Sequence, residues 1–318
     1  MEAFADRLIE KAKRVQSRVI VGLDPVVTCF PAYLQEQLRH NPTESQLEEI
    51  LVDFNRVVVE ATAAVAVAYK PQAAFYEQYG LAGLQALLRT IALLREREQL
   101  VILDGKRNDV AHTAGAYATA WLAPRHPLFD TPNPWQVDGV TLNGYLGSDG
   151  ILPFMAANTA AGLFVLTKTS NPSSGELQDR PLWDGVGGAG VTVAEKMAEL
   201  VHQWGQSSLG RHGFSNVGMV VGATYPAIAS RLRDIAPQAL FLMPGIGAQG
   251  GSLGAIVAGS GAAGVGAYAA SSRGLLYPFQ PAELPGADWP EQAGNRIEAA
   301  ARNLQQTIQA RLQAAGFA

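Results

Sequence analysis

The sequence predicts an α/β protein in which eight parallel strands alternate with helices and close into a (β/α)8 barrel. Its 318 residues accommodate a barrel of roughly 250 residues together with insertions. The chain is 48% hydrophobic and 16% charged, so it carries enough apolar material for one large core. Short apolar runs bounded by turn residues alternate with segments of helical period, which is typical of parallel βαβ units.

Eight apolar runs are candidate strands, and the segments between them are long enough for crossover helices. The candidate strands lie at 19–24, 65–70, 100–104, 137–142, 161–166, 217–222, 239–244 and 262–268. An open, doubly wound sheet is the alternative architecture, because periodicity does not show whether the last strand pairs with the first.

Helices are predicted at both ends of the chain as well as between the strands. The N-terminal segment MEAFADRLIEKAKR intersperses acidic and basic residues and is predicted to be an amphipathic helix. Thr43 and Gln46 form a candidate capping box at the start of another helix. The segment from Trp289 to Ala315 is predicted to be a terminal helix that closes the outer layer of the TIM barrel.

We expect residues 1–318 to form a single barrel domain, because no long low-complexity linker interrupts the pattern. Pro- and Gly-rich insertions are predicted to be surface loops. They lie near 124–135, 170–190 and 277–290.

The charge balance excludes a generally cationic surface. The chain has 24 Lys and Arg against 28 Asp and Glu, for a net charge of -4, so neither nucleic acid nor an acidic membrane is an expected partner. The only cysteine, Cys29, excludes an intrachain disulfide and fits a cytoplasmic location. The N-terminus lacks the apolar segment of a signal peptide.

An uncharged tract between Asp234 and Arg273 resembles a membrane span at first sight. A spanning helix needs about 20 predominantly apolar residues, whereas glycines interrupt this tract repeatedly. It is therefore predicted to contain a buried strand, a glycine loop, a helix of small residues and another strand.

Charged side chains cluster where two candidate strands end. Asp104, Lys106 and Asp109 follow one apolar strand, and Lys70 ends the strand before it. Because strand side chains alternate between faces, Asp104 and Lys106 should point the same way if the strand extends through Lys106. In a barrel these carboxyl-terminal ends form the active-site face. A solvated strand end with an ion pair is the alternative on charge spacing alone.

The tract 244–251, PGIGAQGG, formally contains a dinucleotide fingerprint after a strand. That fingerprint requires an acidic residue about 20 positions later, and none lies between Asp234 and Glu283. A phosphate loop after the seventh strand is the better interpretation, because glycines let backbone N–H groups approach an anion. Arg273 would add positive charge from the next loop, unless it is an ordinary surface arginine.

Two other chemistries have little support in the sequence. The segment 250–254 matches the G-x-S-x-G nucleophile elbow, but it follows a glycine loop and no partnered histidine is apparent. The five histidines lack the H-x-x-x-H or H-E-x-x-H spacing of zinc sites. We therefore expect no bound metal.

Seven motifs in order along the chain resemble the orotidine 5'-phosphate decarboxylase family, in its longer bacterial (type 2) form. They are GLDP at 22–25, KPQAAFYE at 70–77, DGKRNDVAHT at 104–113, KTSNPSSGELQ at 168–178, VVGAT at 220–224, PGIGAQGG at 244–251 and SRG at 272–274. The resemblance implies decarboxylation of orotidine 5'-monophosphate (OMP) to UMP in de novo pyrimidine biosynthesis, without a metal or an organic cofactor.

The resemblance also implies roles for the charged residues. Lys106 would stabilise and protonate the carbanion at C6 of the pyrimidine, Asp104 would lie beside the substrate carboxylate, and Lys70 would pair with Asp104. Asp109 and Thr113 would reach the neighbouring active site of a homodimer.

The remaining implied roles are in substrate binding. Asp24 would bind the ribose, although a turn Asp before a proline is its alternative. Ser170 would recognise the pyrimidine, and Gln249 and Arg273 would hold the phosphate.

The departures from the family pattern do not alter a reacting group. Asn108 and Ala111 stand where glycine is common, and Val110 stands for isoleucine. Asn tolerates a left-handed turn better than most residues, so residue 108 could retain such a turn.

Two rival functions remain. One is a magnesium-dependent phosphosugar enzyme with the same Asp-x-Lys-x-x-Asp pattern, such as a keto-gulonate-phosphate decarboxylase or hexulose-phosphate synthase. The other is a catalytically silent phosphate-binding barrel.

Overall fold

Eight parallel strands form one sheet at the centre of the molecule. The structure is a computed structural model that describes residues 2–183, 190–246, 251–261 and 264–317. The strands are β1 Val19–Leu23, β2 Ala66–Pro71, β3 Ile102–Arg107, β4 Gly139–Leu142, β5 Gly162–Lys168, β6 Ser215–Val221, β7 Ala239–Pro244 and β8 Ala267–Ser271.

The sheet is closed, as predicted for a barrel, and is not an open sheet. The strand order is β2-β1-β8-β7-β6-β5-β4-β3, so the first and last strands in the chain, β1 and β8, are paired neighbours. Closure occurs between β2 and β3 through two isolated parallel bridges, Tyr69 with Val101 and Gln72 with Asp104. The Tyr69 N–H also donates to the Leu100 carbonyl at 2.8 Å.

Helices surround the barrel and cover one of its ends. They are α1 Phe4–Val15, α2 Ala32–Gln37, α3 Glu44–Thr62, α4 Ala73–Glu77, α5 Gly80–Glu96, α6 Ala111–Leu122, α7 Leu152–Ala157, α8 Val193–Gly205, α9 Pro226–Ile235, α10 Leu253–Gly259, α11 Arg273–Leu276 and α12 Trp289–Ala314. Within the described ranges, no helix combines the length and the apolar character needed to cross a membrane.

Both terminal helices and the capping box are confirmed. The α3 helix begins after Thr43, whose side chain accepts from the Gln46 N–H while the Gln46 side chain accepts from the Thr43 N–H. The eighth strand begins later than predicted: 262–263 lie outside the described residues, and β8 starts after Gly264 and Gly266. These glycines have φ values of 69° and 100°, which are incompatible with a regular strand.

The N-terminal helix α1 covers the amino-terminal end of the barrel. Phe4 packs edge-on against Phe164 of β5, with ring centroids 5.8 Å apart. The Ala5 N–H donates to Asn216 Oδ1, and Asp6 accepts from the N–H groups of Arg211 and His212. The carboxyl-terminal end of the strands is thus the end left for a ligand site.

The predicted insertions lie outside the strands. The first contains a bridge between Arg125 and Pro132, and the second contains a 3-10 turn at Pro172–Glu176. The third starts at Tyr277, whose hydroxyl donates to the Asp24 carbonyl and accepts from the Val26 N–H. It therefore holds the loop that follows β1.

Phe54 of α3 joins three parts of the outer layer. Its ring stacks on Phe30 at 4.2 Å, on Tyr277 at 5.5 Å and on Trp289 at 6.3 Å between centroids. It is fully buried, so these contacts connect the loop after β1 with α3 and α12.

Replacing Phe54 by alanine should lower the free energy of unfolding by about 3–5 kcal/mol, because the cavity cannot collapse among three other rings. Urea unfolding followed by circular dichroism measures the change. Phe129→Ala is the matched control, since Phe129 is 71% exposed and its loss should change stability by less than about 0.5 kcal/mol. Equal effects of the two substitutions would contradict this packing.

Candidate active site

Three charged side chains meet at the carboxyl-terminal end of β2 and β3. Lys70 Nζ lies 2.5 Å from Asp104 Oδ2, and Lys106 Nζ lies 2.5 Å from Asp104 Oδ1. Lys106 lies within β3, and its ammonium group meets the Asp104 carboxylate as predicted, although the left-handed backbone of Lys106 departs from regular alternation. The sequence thus correctly predicts that these three charges share one site.

The three charges differ in their exposure to water. The side chains of Lys70 and Asp104 are 7% and 8% exposed, whereas that of Lys106 is 39% exposed. Burial alone would raise the pKa of Asp104, but the two ammonium charges and their hydrogen bonds hold it well below its usual range. Burial likewise opposes the charge on Lys70, yet Asp104 and Asp24 raise its pKa. Asp104 and Lys70 are therefore both ionised at neutral pH.

Two further residues, which the sequence analysis missed, donate to the same carboxylate. Thr141 of β4 donates its hydroxyl to Asp104 Oδ1 at 2.7 Å, and Gln72 donates to Oδ2 at 3.1 Å. Each oxygen of Asp104 therefore has one ammonium and one neutral donor. Such saturation fixes the orientation of a buried carboxylate.

The left-handed backbone position in this segment is Lys106 and not Asn108. Lys106 has a φ of 48°, whereas Asn108 is absent from the positive-φ residues of the described chain. A left-handed conformation costs a non-glycine residue about 1–2 kcal/mol, and such strain is often concentrated at active sites.

Asp24 follows β1 and lies close enough to Lys70 to raise its pKa. Its Oδ1 atom is buried and has no hydrogen-bond partner among the described residues. A buried carboxylate oxygen without a donor is unfavourable unless a ligand supplies one. Asp24 is therefore suited to accept a hydrogen bond from a hydroxyl group.

Asp109 and Thr113 are not brought to the carboxylate of Asp104 within this chain. Asp109 is half-buried, and its Oδ1 atom accepts from the N–H of the adjacent Val110. Thr113 lies in the first turn of α6. Ala111 is the first residue of that helix, so the departure from glycine at this position is accommodated by helical backbone.

Ser170 follows β5 and lies against the end of β6. A Cβ atom at Gly222 would come within 2.9 Å of the backbone N and Cα of Ser170, so glycine is required for this close approach. Next to Ser170, Lys168 has a fully buried side chain that the sequence analysis also missed. Its Nζ atom lies 2.7 Å from Asp179 Oδ1 and 3.1 Å from Ser174 Oγ, which ties the loop after β5 to the barrel.

The predicted phosphate loop is described only in part. Gln249 lies outside the described residues, as do the other positions of 247–250 in the glycine motif. Arg273 is the first residue of α11, and its side chain is exposed. A Cβ at Gly22 would lie 1.9 Å from Ser272 Oγ, so the start of α11 is close to the end of β1 and to Asp24.

Ser252 of the G-x-S-x-G pattern has a structural role. Its side chain accepts from the Gly254 N–H and caps the start of α10. Within the described ranges, no three His, Cys, Asp or Glu side chains are grouped to hold a metal ion.

Comparison with known proteins assigns the family. A model of the "Orotidine 5'-phosphate decarboxylase / HUMPS family" matches residues 17–278. The chain belongs to this family. The matched range includes every strand of the barrel and all the candidate site residues, so the resemblance seen in the motifs is confirmed.

Curated members of the orotidine 5'-phosphate decarboxylase family are similar along most of the chain. An orotidine 5'-phosphate decarboxylase of Thermomicrobium roseum is 38% identical over 308 residues, which are 96% of this chain and 95% of that protein. One from Caldicellulosiruptor bescii is 37% identical over 281 residues, or 87% of this chain and 90% of the relative.

Solved structures of the family have the same fold. The OMP decarboxylase of Leishmania donovani is 35% identical, with a TM-score of 0.70 over 98% of this chain and 99% of that one. The UMP synthase of Leishmania donovani is 34% identical, with a TM-score of 0.74 over 98% of this chain. This chain spans 56% of the length of that UMP synthase chain.

The charges predict a specific pH dependence of stability. The pKa of Asp104 is lower in the folded chain than in the unfolded one, so its ionisation stabilises the fold at pH values above about 3.9. The pKa of Lys70 is raised by folding, so its charge stabilises the fold at pH values below about 10.4. The pair therefore contributes fully between these limits. Asp104→Asn should cost about 3–5 kcal/mol by leaving Lys70 buried without its main counter-charge.

In Asp104→Asn the folded pKa of Lys70 should fall below its unfolded value. The unfolded chain then binds more protons, so stability of this variant should rise as pH increases towards about 10. Urea unfolding across buffers from about pH 6 to about pH 10 measures this slope. The double variant Lys70→Met/Asp104→Asn is the control and should lose the slope; the same slope in both variants would refute the assignment to Lys70.

Proposed function

We propose that this protein converts OMP to UMP and CO₂ in pyrimidine biosynthesis, and that Lys106 protonates the C6 carbanion. Family membership and relatives named as orotidine 5'-phosphate decarboxylase over most of the chain support the reaction. The observation that carries the mechanism is the buried Asp104 carboxylate held between Lys70 and Lys106.

Loss of CO₂ from C6 leaves an electron pair on a carbon that has no adjacent electron sink. Fixed charges must therefore stabilise the carbanion. The Lys106 ammonium is the more exposed of the two lysines, and it can approach the reacting carbon. Breaking the C6–carboxylate bond leaves the electron pair on C6, and a proton from Lys106 Nζ then forms the new C6–H bond. Water returns a proton to the amine.

Asp104 and Lys70 keep this ammonium group in place. The Asp104 carboxylate lies beside the position of the departing carboxylate and holds Lys106 by a short ion pair. Lys70 neutralises Asp104 from the other side, so the cluster stays ionised although it is mostly buried. Because the charges are fixed before substrate binds, little reorganisation is needed in the transition state.

The remaining site residues bind the rest of the substrate in this proposal. The unpartnered Oδ1 of Asp24 accepts a ribose hydroxyl, and Ser170 recognises the pyrimidine. Arg273 pairs with the phosphate through its planar donor group, and Gln249 closes over the same phosphate. The reaction in this proposal uses neither a metal nor an organic cofactor.

We further propose that the enzyme is a cytoplasmic homodimer with shared active sites, to which Asp109 and Thr113 contribute from the partner. The surface around Asp109 supports an interface. Val110 next to it is 57% exposed. Other exposed apolar side chains in the neighbouring loop and at the start of α7 are Tyr145, Leu146 and Leu152. The single cysteine fits a reducing compartment.

The decisive test is turnover of OMP by EDTA-treated protein, followed by the change in pyrimidine absorbance as UMP forms. We expect turnover without added metal. Lys106→Ala should remain folded and lose at least about 100-fold in kcat, since general acids contribute about 10²–10⁴-fold. Lys13→Ala, on the exposed surface of α1, is the control and should behave as wild type.

Each alternative outcome has a distinct meaning. Absence of turnover by the wild type would contradict the proposed reaction and favour a silent phosphate-binding barrel. Turnover restored only by Mg²⁺ would favour the metal-dependent phosphosugar enzymes. Near-normal kcat in Lys106→Ala would refute the proton-donor role alone.

Shared active sites predict complementation between inactive variants. Co-expressed Lys106→Ala and Asp109→Ala chains should form mixed dimers in which one site carries both defects and the other none. With equal random pairing, about a quarter of the wild-type activity should return. Differently tagged chains allow the mixed dimers to be isolated; mixed dimers without activity would refute sharing through Asp109.

A further inference from the structure

Thr141 connects the side chain of Asp104 with the backbone of Lys106. It lies in β4 with 1% of its surface exposed. Its Oγ1 atom donates to Asp104 Oδ1 at 2.7 Å and accepts from the Lys106 N–H at 3.1 Å. An amide N–H can only donate, so the single hydroxyl proton is directed to the carboxylate. Both bonds of this hydroxyl therefore end at residues of the charged cluster.

The Lys106 amide needs this acceptor because the strand ladder is interrupted there. Leu103 pairs with Val140 and Arg107 pairs with Leu142, with a register shift between them. Three residues of β3 thus oppose one residue of β4, as in a bulge. At this shift the Lys106 N–H donates to the side chain of Thr141, and a half-buried N–H without an acceptor would be costly.

The bulge and the left-handed backbone have a direct consequence for the ammonium group. Lys106 is only two residues after Asp104, yet its Nζ atom reaches Asp104 Oδ1. Its φ of 48° is an unfavourable conformation that needs support from its surroundings. Thr141 bonds both ends of this arrangement, the amide of Lys106 and the carboxylate oxygen that its ammonium group contacts.

We propose that Thr141 is a positioning residue for decarboxylation: its hydroxyl holds Lys106 in the left-handed conformation and aligns Asp104, and so places the ammonium group at the reacting carbon. This inference rests on the proposed function. Thr141 acts through Lys106 and Asp104, so its loss should lower kcat more than it raises KM. Remote contacts to ribose and phosphate, which dominate binding of the ground state, stay intact.

Three variants separate positioning from a general structural role. Thr141→Val removes the hydroxyl at nearly constant shape, and Thr141→Ser retains it. Thr167→Val is the matched control, because Thr167 is also buried in a neighbouring strand, and among the described residues its hydroxyl bonds to the Val165 carbonyl alone. Thermal unfolding shows that each variant is folded before the kinetics are compared.

We expect Thr141→Val to lower kcat by about 10- to 100-fold, as displacements near 1 Å do, with KM changed by less than about threefold. Thr141→Ser should recover most of the lost kcat, and Thr167→Val should match wild type. A kcat of Thr141→Val within about twofold of wild type, or a loss that serine does not recover, would overturn the proposal.

A second measurement does not depend on turnover. The half-exposed Lys106 amine can be labelled with a limiting amount of acetic anhydride and its modification quantified by mass spectrometry. Thr141→Val should increase labelling of Lys106 several-fold relative to Lys13, because the amine is no longer held against Asp104; Thr141→Ser and Thr167→Val should not. Equal labelling in Thr141→Val and wild type would overturn the positioning role. Loss of turnover in the wild type would instead refute the proposed function.

Discussion

The buried carboxylate of Asp104 is the constraint on which the site and the barrel both depend. A carboxylate at this depth is stable only with opposite charges, and they come from Lys70 on β2 and Lys106 on β3. The β2 and β3 strands are also the two strands at which the barrel closes, through isolated bridges. The ion pair from Lys70 to Asp104 thus spans the strand pair that is joined by isolated bridges, so this buried pair of charges also connects the two edges of the sheet.

Saturated and unsatisfied polar groups divide the site into two parts. The two carboxylate oxygens of Asp104 accept four hydrogen bonds, so this side chain is held in place before any ligand binds. Asp24 has a buried oxygen without a partner among the described residues. The first arrangement suits a reaction that depends on fixed electrostatics, and the second suits recognition, since an unpaired buried acceptor discriminates in favour of a ligand that brings a donor.

The sequence predicts the parts of this site that follow from period and order. Alternation along the third strand predicts that Asp104 and Lys106 share one face, and the βα repeat predicts that Lys70 lies at the same end of the barrel. The two ion pairs confirm both expectations, although the backbone at Lys106 is left-handed and not regular. Thr141 and Gln72 were missed because their partner Asp104 is distant in sequence. Lys168 was missed because no local pattern marks a buried ammonium group. Family motifs did contain Gln72 and Lys168, but spacing alone did not show where their side chains point.

The bounds of the strands also depend on contacts that a sequence pattern does not reveal. The repeat and the capping residues predict eight strands and the flanking helices, whereas strand bounds depend on tertiary contacts. The register shift between Leu103 and Arg107 belongs to the pairing with β4, and the left-handed residue, Lys106, lies within it. Gly264 and Gly266 delay the start of β8 through their positive φ values, which an apolar pattern does not reveal.

Tyr277 connects two ends of the site that are far apart in the chain. Its N–H donates to the Arg273 carbonyl across the single turn of α11, and its hydroxyl donates to the carbonyl of Asp24. The backbone of Arg273 is therefore joined through one tyrosine ring to the backbone of Asp24. If Arg273 and Asp24 bind the two ends of the substrate as proposed, one tyrosine side chain supports both, and the loss of Tyr277 would disturb both ends of the site at once.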